Sequence, residues 1–334
     1  MKVLFPLIQA GSGADVFTHN LVSGLKQSSL AADIQHLPGW SGYIPPIMGK
    51  LCNSEGYDII HSNLWNGFAF AGLKPVVATS HSAVRLPELK KYQSLSQKIF
   101  YRLVSRWEKS TLNSADTVCC VSKFAAQYLE RMYGYSDTKI VYNGVNTNIF
   151  CPKIIEDNVN LKHEKSTIKL FFSGNTRLMK GFDLIPVIMK QLGNGYSLTL
   201  ASGLRNQKKR NYQYNIVDLG RVEPNQMPQF YRDTDIFLFP TRLEGFSLTV
   251  LEAMSCGNPI VTTNTSSLPE QVIDGKGGFL CEMDNVKDFA ESIRIIAEDS
   301  SLRREMGRFN RERVIAKFSL ERMVQEYIKV YKKL

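Results

Sequence analysis

Two carboxylates, Glu244 and Glu252, bracket the stretch Glu244-Gly245-Phe246-Ser247-Leu248-Thr249-Val250-Leu251-Glu252. An apolar strand, Asp235 to Phe239, ends at Pro240 just before it. Ser247 is a good helix N-cap and Gly257 a good stop, which predicts a helix over about 248–255. The amides of Phe246, Ser247 and Leu248 would then be free to hold an anion, helped by the helix dipole. Glu244 in the loop and Glu252 one turn inside the helix can both face that spot, and carboxylates accept sugar hydroxyls. The pairing suits a ligand that is part phosphate and part sugar. A purely structural helix would have to place Glu252 among apolar neighbours, where acidic residues are seldom fully buried.

Three further places could contribute. Ser173-Gly174-Asn175-Thr176-Arg177-Leu178-Met179-Lys180-Gly181 reads as strand, loop and helix, with a forked cation (Arg177) and a point cation (Lys180) beside a helix N-terminus. A diphosphate wants that combination, although a solvated loop would look the same. Gly11-Ser12-Gly13-Ala14-Asp15-Val16 follows the first strand and opens a helix, either as an anion loop or as a tight turn with no ligand. A dinucleotide fingerprint would need Gly or Ala where Val16 stands, and an acidic residue at the far end of the second strand. Asp33 instead sits at the start of a strand predicted over 34–37, so nicotinamide binding is disfavoured. His81 follows the apolar run Val76 to Thr79 and has a plain reading as a hydrogen-bonded residue at a strand end.

The elements that must position these residues are legible as a rhythm. Short apolar strands are predicted at 2–8, 34–37, 57–61, 75–79, 117–121 and 139–142, then at 168–173, 196–201, 216–219, 235–239, 259–262 and 278–281. Helical periodicity lies between them, as in Phe17, Leu21 and Leu25, which argues a mostly parallel α/β architecture of two Rossmann-like domains facing a cleft. Residues 151–167, with Cys-Pro and several charges, break the rhythm and read as a linker. A length of 334 residues also exceeds what one core usually organises. At 43% hydrophobic and 22% charged, the composition excludes a disordered or collagen-like chain, and no apolar run is long enough for a membrane helix. The six cysteines form no C-x-x-C pair, so neither a zinc site nor a disulfide framework is expected, and reduced thiols point to the cytoplasm.

The net charge of +10 suggests anionic partners, and its place matters more than its size. Between residues 84 and 109, Arg85, Lys90, Lys91, Lys98, Arg102, Arg106 and Lys109 face only Glu88 and Glu108. Leu95, Ile99, Leu103 and Trp107 recur there every fourth residue, with Lys98, Arg102 and Arg106 offset by one. Such a helix is a candidate for an anionic membrane surface, at the inner face of the membrane; the alternative is a helix packed on the sheet with a solvated basic side. Arg205-Asn206-Gln207-Lys208-Lys209-Arg210 reads as a solvent loop, and with no aromatic platform nearby nucleic acid is not an expected partner.

The E-x7-E element, with Leu251-Glu252-Ala253-Met254 and Gly257-x-Pro259, resembles the signature of the retaining glycosyltransferase family 4, of GT-B fold. Ser12-Gly13-Ala14-Asp15, Asp58-Ile59-Ile60-His61, Val76 to His81, Val121-Ser122 and Tyr142-Asn143-Gly144-Val145-Asn146 resemble further landmarks of that family in the same order. The resemblance implies an acceptor-binding domain over 1–160, a nucleotide-sugar donor domain over 161–318, and a C-terminal helix over 319–334, with Met323, Tyr327 and Tyr331 on one face, crossing back to the first domain. It implies retaining transfer to a glycan or lipid-linked hydroxyl, no metal, no cofactor, and a nucleotide-sugar donor, with UDP the most frequent nucleotide. Glu244 would touch the donor sugar, Gly245, Phe246, Ser247 and Leu248 would supply amides, and Glu252 would accept from the ribose. Lys180 would neutralise the diphosphate, Gly13 would let the first loop cover it, and His81 matches the histidine near the reacting carbon. Where the family usually has Gly-Arg-Leu before Lys-Gly, this chain has Asn175, and the arginine is displaced to Arg177. The other readings are a NAD-dependent oxidoreductase, a nucleotide-sugar epimerase, and a catalytically silent binding partner of the same fold.

Overall fold

The computed structural model describes residues 1–81, 83, 86–153, 167–202 and 212–334, with the Glu88 side chain left out. Most of the predicted linker, the tract 205–210 and Arg85 lie outside the described residues. The chain divides into two compact units, Met1–Gly144 with Leu320–Leu334, and Val145–Ser319.

In unit 1 the described strands are β1 (Lys2–Leu7), β2 (Ala31–His36), β3 (Ile59–Asn63), β4 (Val76–Ser80), β5 (Thr117–Cys120) and β6 (Thr138–Ile140). They pair in parallel in the order β2-β1-β3-β4-β5-β6. Val3, Leu4, Phe5 and Leu7 are all buried, as expected of a parallel strand covered on both faces. Helices α1 (Gly13–Gln27), α2 (Met48–Leu51), α3 (Leu95–Leu112) and α4 (Lys123–Tyr133) connect them. The Ser12 hydroxyl donates to the Asp15 carboxylate (2.9 Å), which also accepts from the amides of Ala10 (2.8 Å) and Ser12 (3.1 Å), so the turn into α1 is internally satisfied.

Strand β2 begins three residues earlier than predicted, which moves Asp33 from the strand's start to its middle, opposite Leu4. Its carboxylate lies 3.2 Å from both Lys2 and Lys26 and accepts from the Tyr57 hydroxyl at 3.1 Å. The Lys2 and Lys26 ammonium groups hold its pKa below the usual carboxylate value, so this carboxylate is engaged in ion pairs and lies three residues short of the strand's end at His36.

Unit 2 repeats the plan. Strands β7 (Ile168–Gly174), β8 (Tyr196–Ser202), β9 (Ile216–Arg221), β10 (Ile236–Phe239), β11 (Ile260–Thr263) and β12 (Gly278–Cys281) form a parallel sheet in the order β12-β11-β10-β7-β8-β9. Helices α5 (Ile185–Leu192), α6 (Met227–Arg232), α7 (Leu248–Ser255), α8 (Leu268–Gln271), α9 (Val286–Glu298) and α10 (Ser300–Lys317) surround it.

The last helix, α11 (Leu320–Tyr331), returns to unit 1. Its Met323, Tyr327 and Tyr331 join the core with Phe17, Leu21 and Leu25 of α1. Gly24 lets the helices approach closely, because a Cβ there would lie 2.5 Å from Val324 Cγ2. At the centre, His61 Nδ1 meets the Tyr331 hydroxyl at 2.6 Å and His61 Nε2 meets Thr79 Oγ1 at 2.7 Å. Burial, with His81 nearby, pushes the His61 pKa down to about 3, so the ring stays neutral and serves as a polar peg.

Candidate functional site

A parallel sheet offers its ligand site where strand order reverses, at the carboxyl ends of the strands. In unit 2 that place lies between β10 and β7. Three loops leave the sheet there, 175–184 after β7, 240–247 after β10 and 264–267 after β11.

The first two loops bring Lys180 and Glu244 together. Lys180 Nζ donates to Glu244 Oε1 at 2.5 Å and stands 5.6 Å from the centre of the Phe239 ring. Thr241 Oγ1 lies 3.1 Å from the same carboxylate oxygen. The Glu244 amide donates to Ser266 Oγ (3.0 Å), and Ser267 Oγ donates to the Glu244 carbonyl (3.1 Å), so the third loop fixes the backbone of the second. Lys180 does not sit at a helix N-terminus as predicted. It ends a short 3-10 turn, Leu178–Lys180, and α5 starts only at Ile185. The turn stops at Gly181, which has φ +65° and whose missing Cβ would collide with the Pro240 carbonyl.

Arg242, absent from the sequence-based reading, ties these loops. It is 3% exposed and its guanidinium reaches Asp183 (2.7 and 2.8 Å), Asp284 (2.6 Å) and the Leu178 carbonyl. Burial works against its charge, but Asp183 and Asp284 outweigh it and raise its pKa above the ordinary value. The available signal was a charged residue inside the loop that carries Glu244. Arg177 is exposed, and its guanidinium has no partner among the described residues. Asn175 Oδ1 is buried without a hydrogen-bond partner among them.

Helix α7 forms over the predicted residues, with Val250 N donating to Ser247 Oγ at 3.4 Å and Gly257 at φ +81°. One predicted donor is committed elsewhere. The Ser247 amide donates to Gln271 Oε1 at 2.9 Å, and Gln271 Nε2 returns to the Ser247 carbonyl at 2.8 Å. The Leu248 and Thr249 amides, first in the helix, have no intrahelical acceptor. Glu252 is half-buried and accepts from the Tyr231 hydroxyl at 2.7 Å. Burial pushes its pKa up to about 7, with the Tyr231 hydrogen bond opposing the rise.

In unit 1 the equivalent reversal lies between β1 and β3. A small recess opens there, walled by Phe5, Phe17, His61 and His81 among others. His81 stands edge-on to Phe17 with ring centres 4.6 Å apart, and burial pushes its pKa down to about 4, so its ring is neutral near pH 7. A Cβ on Gly13 would meet no atom within 4 Å. Among the described residues no group of three or more His, Cys, Asp or Glu could hold a metal ion, and no helix is long and apolar enough to cross a membrane.

Two family profiles divide the chain between them, Glycosyltransferase Family 4 over residues 12–149 and Glycosyl transferases group 1 over residues 153–313. An uncharacterized glycosyltransferase of Methanocaldococcus jannaschii is 29% identical over 100% of this chain and 99% of its own. The D-inositol 3-phosphate glycosyltransferase of Paenarthrobacter aurescens is 24% identical over 89% of this chain and 78% of its own. Among solved structures, sucrose-phosphate synthase from Thermosynechococcus elongatus superposes with a TM-score of 0.83 at 20% identity, covering 100% of this chain and 99% of that one. Anabaena HepE in complex with UDP and glucose superposes with a TM-score of 0.77 at 17% identity over the full length of both. By profile and by fold, the chain belongs to the group 1 glycosyltransferases, family 4, with their two-domain GT-B architecture.

Proposed function

We propose that the protein is a retaining, metal-independent transferase that moves a sugar from a UDP-sugar to a hydroxyl of a glycan or lipid-linked acceptor. The observation that carries this reading is the meeting of Lys180 and Glu244 at the strand reversal of unit 2, two loops held in register by Arg242. In the free protein the two side chains satisfy each other. With donor bound, Lys180 and Arg177 meet the diphosphate, so the leaving nucleotide's charge is stabilised by side chains. Glu244 turns to the sugar hydroxyls, and Gly245, Phe246 and Leu248 supply the amide cradle. Ser247 contributes as the cap of α7, since its amide is held by Gln271. Glu252 accepts the ribose hydroxyls. Unit 1 supplies the acceptor side, with neutral His81 as a hydrogen-bonding group and Gly13 as open ground for the ligand. Transfer then rests on positioning and charge stabilisation, with attack on the face the nucleotide leaves. The uracil assignment is supported by the Anabaena relative, whose structure contains UDP and glucose.

Thermal unfolding with UDP, GDP, ADP and NAD, one at a time, tests the donor. At a hundred times its dissociation constant a ligand adds ~2.7 kcal/mol of stability, and UDP alone should do so. Stabilisation by NAD alone would overturn the transferase reading, and by another nucleoside diphosphate alone, the choice of uracil.

Glu252 makes donor binding depend on pH. The ionised carboxylate is the form that accepts ribose hydroxyls, and with its pKa at about 7 that form is scarce at pH 6 and dominant at pH 8. UDP-glucose affinity should therefore rise ~10-fold between those values, and the Glu252→Gln profile should be flat. Conformational stability responds in the opposite sense. A carboxylic acid whose folded pKa is raised above 4.5 favours the fold below that value, and the contribution is lost as pH rises through about 7. A wild-type affinity that ignores pH would remove Glu252 from the ribose.

A further inference from the structure

Helix α3 is anchored at one end and bare at the other. Val104, Glu108, Thr111 and Leu112 are buried against unit 1. The Phe68 amide donates to Thr111 Oγ1 at 2.9 Å, and the Tyr133 hydroxyl donates to Glu108 Oε2 at 2.5 Å. Toward its N-terminus Leu95 is 75% exposed, Ile99 56%, and Phe100 and Leu103 each 43%. The stripe that sequence periodicity picks out is thus largely the side of the helix turned away from the core. The N-terminus itself is well made, with Ser94 accepting from the Gln97 amide and Gln97 reaching back to the Ser94 amide at 2.9 Å, so the bare half is a formed helix.

What surrounds these apolar side chains selects their partner. Lys98, Arg102, Arg106 and Lys109 are exposed on the same helix. Glu108 is its one acidic residue, and that carboxylate is turned inward, 5% exposed and bonded to Tyr133. Among the described residues of α3, the outward face therefore carries cations and hydrocarbon and no acidic side chain. A protein partner would have to bring both an apolar groove and an acidic rim, whereas an anionic bilayer presents both at any point on its surface. The apolar character also continues beyond α3. Phe100 lies 6.3 Å from Trp107 and Trp107 lies 6.4 Å from Trp65 between ring centres, in the loop after β3. A Cβ on Gly42 would lie 3.9 Å from Trp65, and around it Trp40, Tyr43 and Ile44 are 52%, 78% and 56% exposed. That turn follows β2, at the carboxyl edge of the sheet where the recess opens.

We propose that the exposed face of α3, with the Trp40–Ile44 turn as a second foothold, docks unit 1 on a bilayer containing anionic lipid. Leu95, Ile99, Phe100 and Leu103 enter the boundary between headgroups and acyl chains, and Lys98, Arg102 and Arg106 engage the headgroup charge. The recess at the sheet edge is then connected by aromatic side chains to the membrane, which suits an acceptor delivered on a lipid.

Flotation with vesicles of phosphatidylcholine, with and without phosphatidylglycerol, tests this on the full chain. The expected result is capture by the anionic vesicles alone, falling as salt rises. Ile99→Glu with Leu103→Glu should abolish capture, and Lys98→Ala, Arg102→Ala and Arg106→Ala should each weaken it roughly fivefold. Unchanged thermal midpoints certify that the variants fold. No capture at low salt, or capture indifferent to every α3 variant, would overturn the proposal. So would capture lost only with the cations, which would leave the apolar face without a role. Lipid-free sedimentation showing a dimer that Ile99→Glu dissolves would assign the face to a second copy instead. None of these measurements requires a donor, so they stand or fall separately from the transferase reading.

Discussion

Lys180→Ala should slow sugar transfer by roughly 10- to 150-fold, the equivalent of a lost charge-assisted contact of about 1.5–3 kcal/mol. The loss should appear in kcat/KM for the donor, because in the proposed mechanism the ammonium acts on a diphosphate whose charge grows as the bond to the sugar breaks. Glu244→Ala should fall in the same range for a different reason, since in the proposed mechanism it removes the acceptor for the sugar hydroxyls. The two effects should not add. The side chains are 2.5 Å apart in the free protein, and Glu244 is 8% exposed. Removing the lysine alone strands a nearly buried carboxylate, while removing both strands nothing. The double variant should therefore lose less than the two single losses combined, and a double-mutant cycle reads that coupling directly. Wild-type turnover in both single variants would end the assignment of this site.

Arg242→Ala should lower the stability of unit 2 by about 3 kcal/mol, at the lower end of what is lost when one partner of a buried ion pair is removed. The low end is appropriate because the Asp183 and Asp284 side chains left behind are 39% and 34% exposed and can recover water. Chemical denaturation measures this. Turnover per folded molecule should fall as well, because the same guanidinium holds the Leu178 carbonyl two residues before Lys180 and belongs to the loop that carries Glu244. A variant with wild-type stability and turnover would show that the loops keep their register without it.

The central strands of unit 2, β7, β10 and β11, were legible because their apolar runs are buried on both faces and bounded by loops, and the edge strand Gly278–Cys281 also lies where its run predicted it. The start of β2 was not, because Asp33 is held in the strand by pairing with β1, opposite Leu4, with its charge met by Lys2 on β1 and Lys26 on α1, and a periodicity search sees none of these. The helix from Leu248 to Ser255 followed from its cap and its stop. That the Ser247 amide is spent on Gln271 did not, since the two residues meet only through the packing of α8 on α7. Tyr231 escaped for the same reason, its hydroxyl meeting Glu252 across two helices. Local rules reveal elements and their ends, whereas contacts that depend on how elements pack stay hidden until the fold is known. For α3, periodicity found the stripe but could not say whether it faced the core, because an apolar face toward lipid and one toward a sheet are written alike.

The chain leaves unit 1 after Gly144 and comes back at Leu320. Unit 2 is therefore one uninterrupted stretch, but unit 1 is assembled from two pieces separated by the whole of the other unit. During vectorial synthesis unit 2 can close as soon as its own residues emerge. The core of unit 1, with Phe17, Leu21, His61 and Thr79 packed or bonded to Tyr327 and Tyr331, cannot be completed before α11 has emerged. Of the two units, the one whose synthesis starts earlier is the one completed later, and until α11 is made its core lacks Tyr327 and Tyr331.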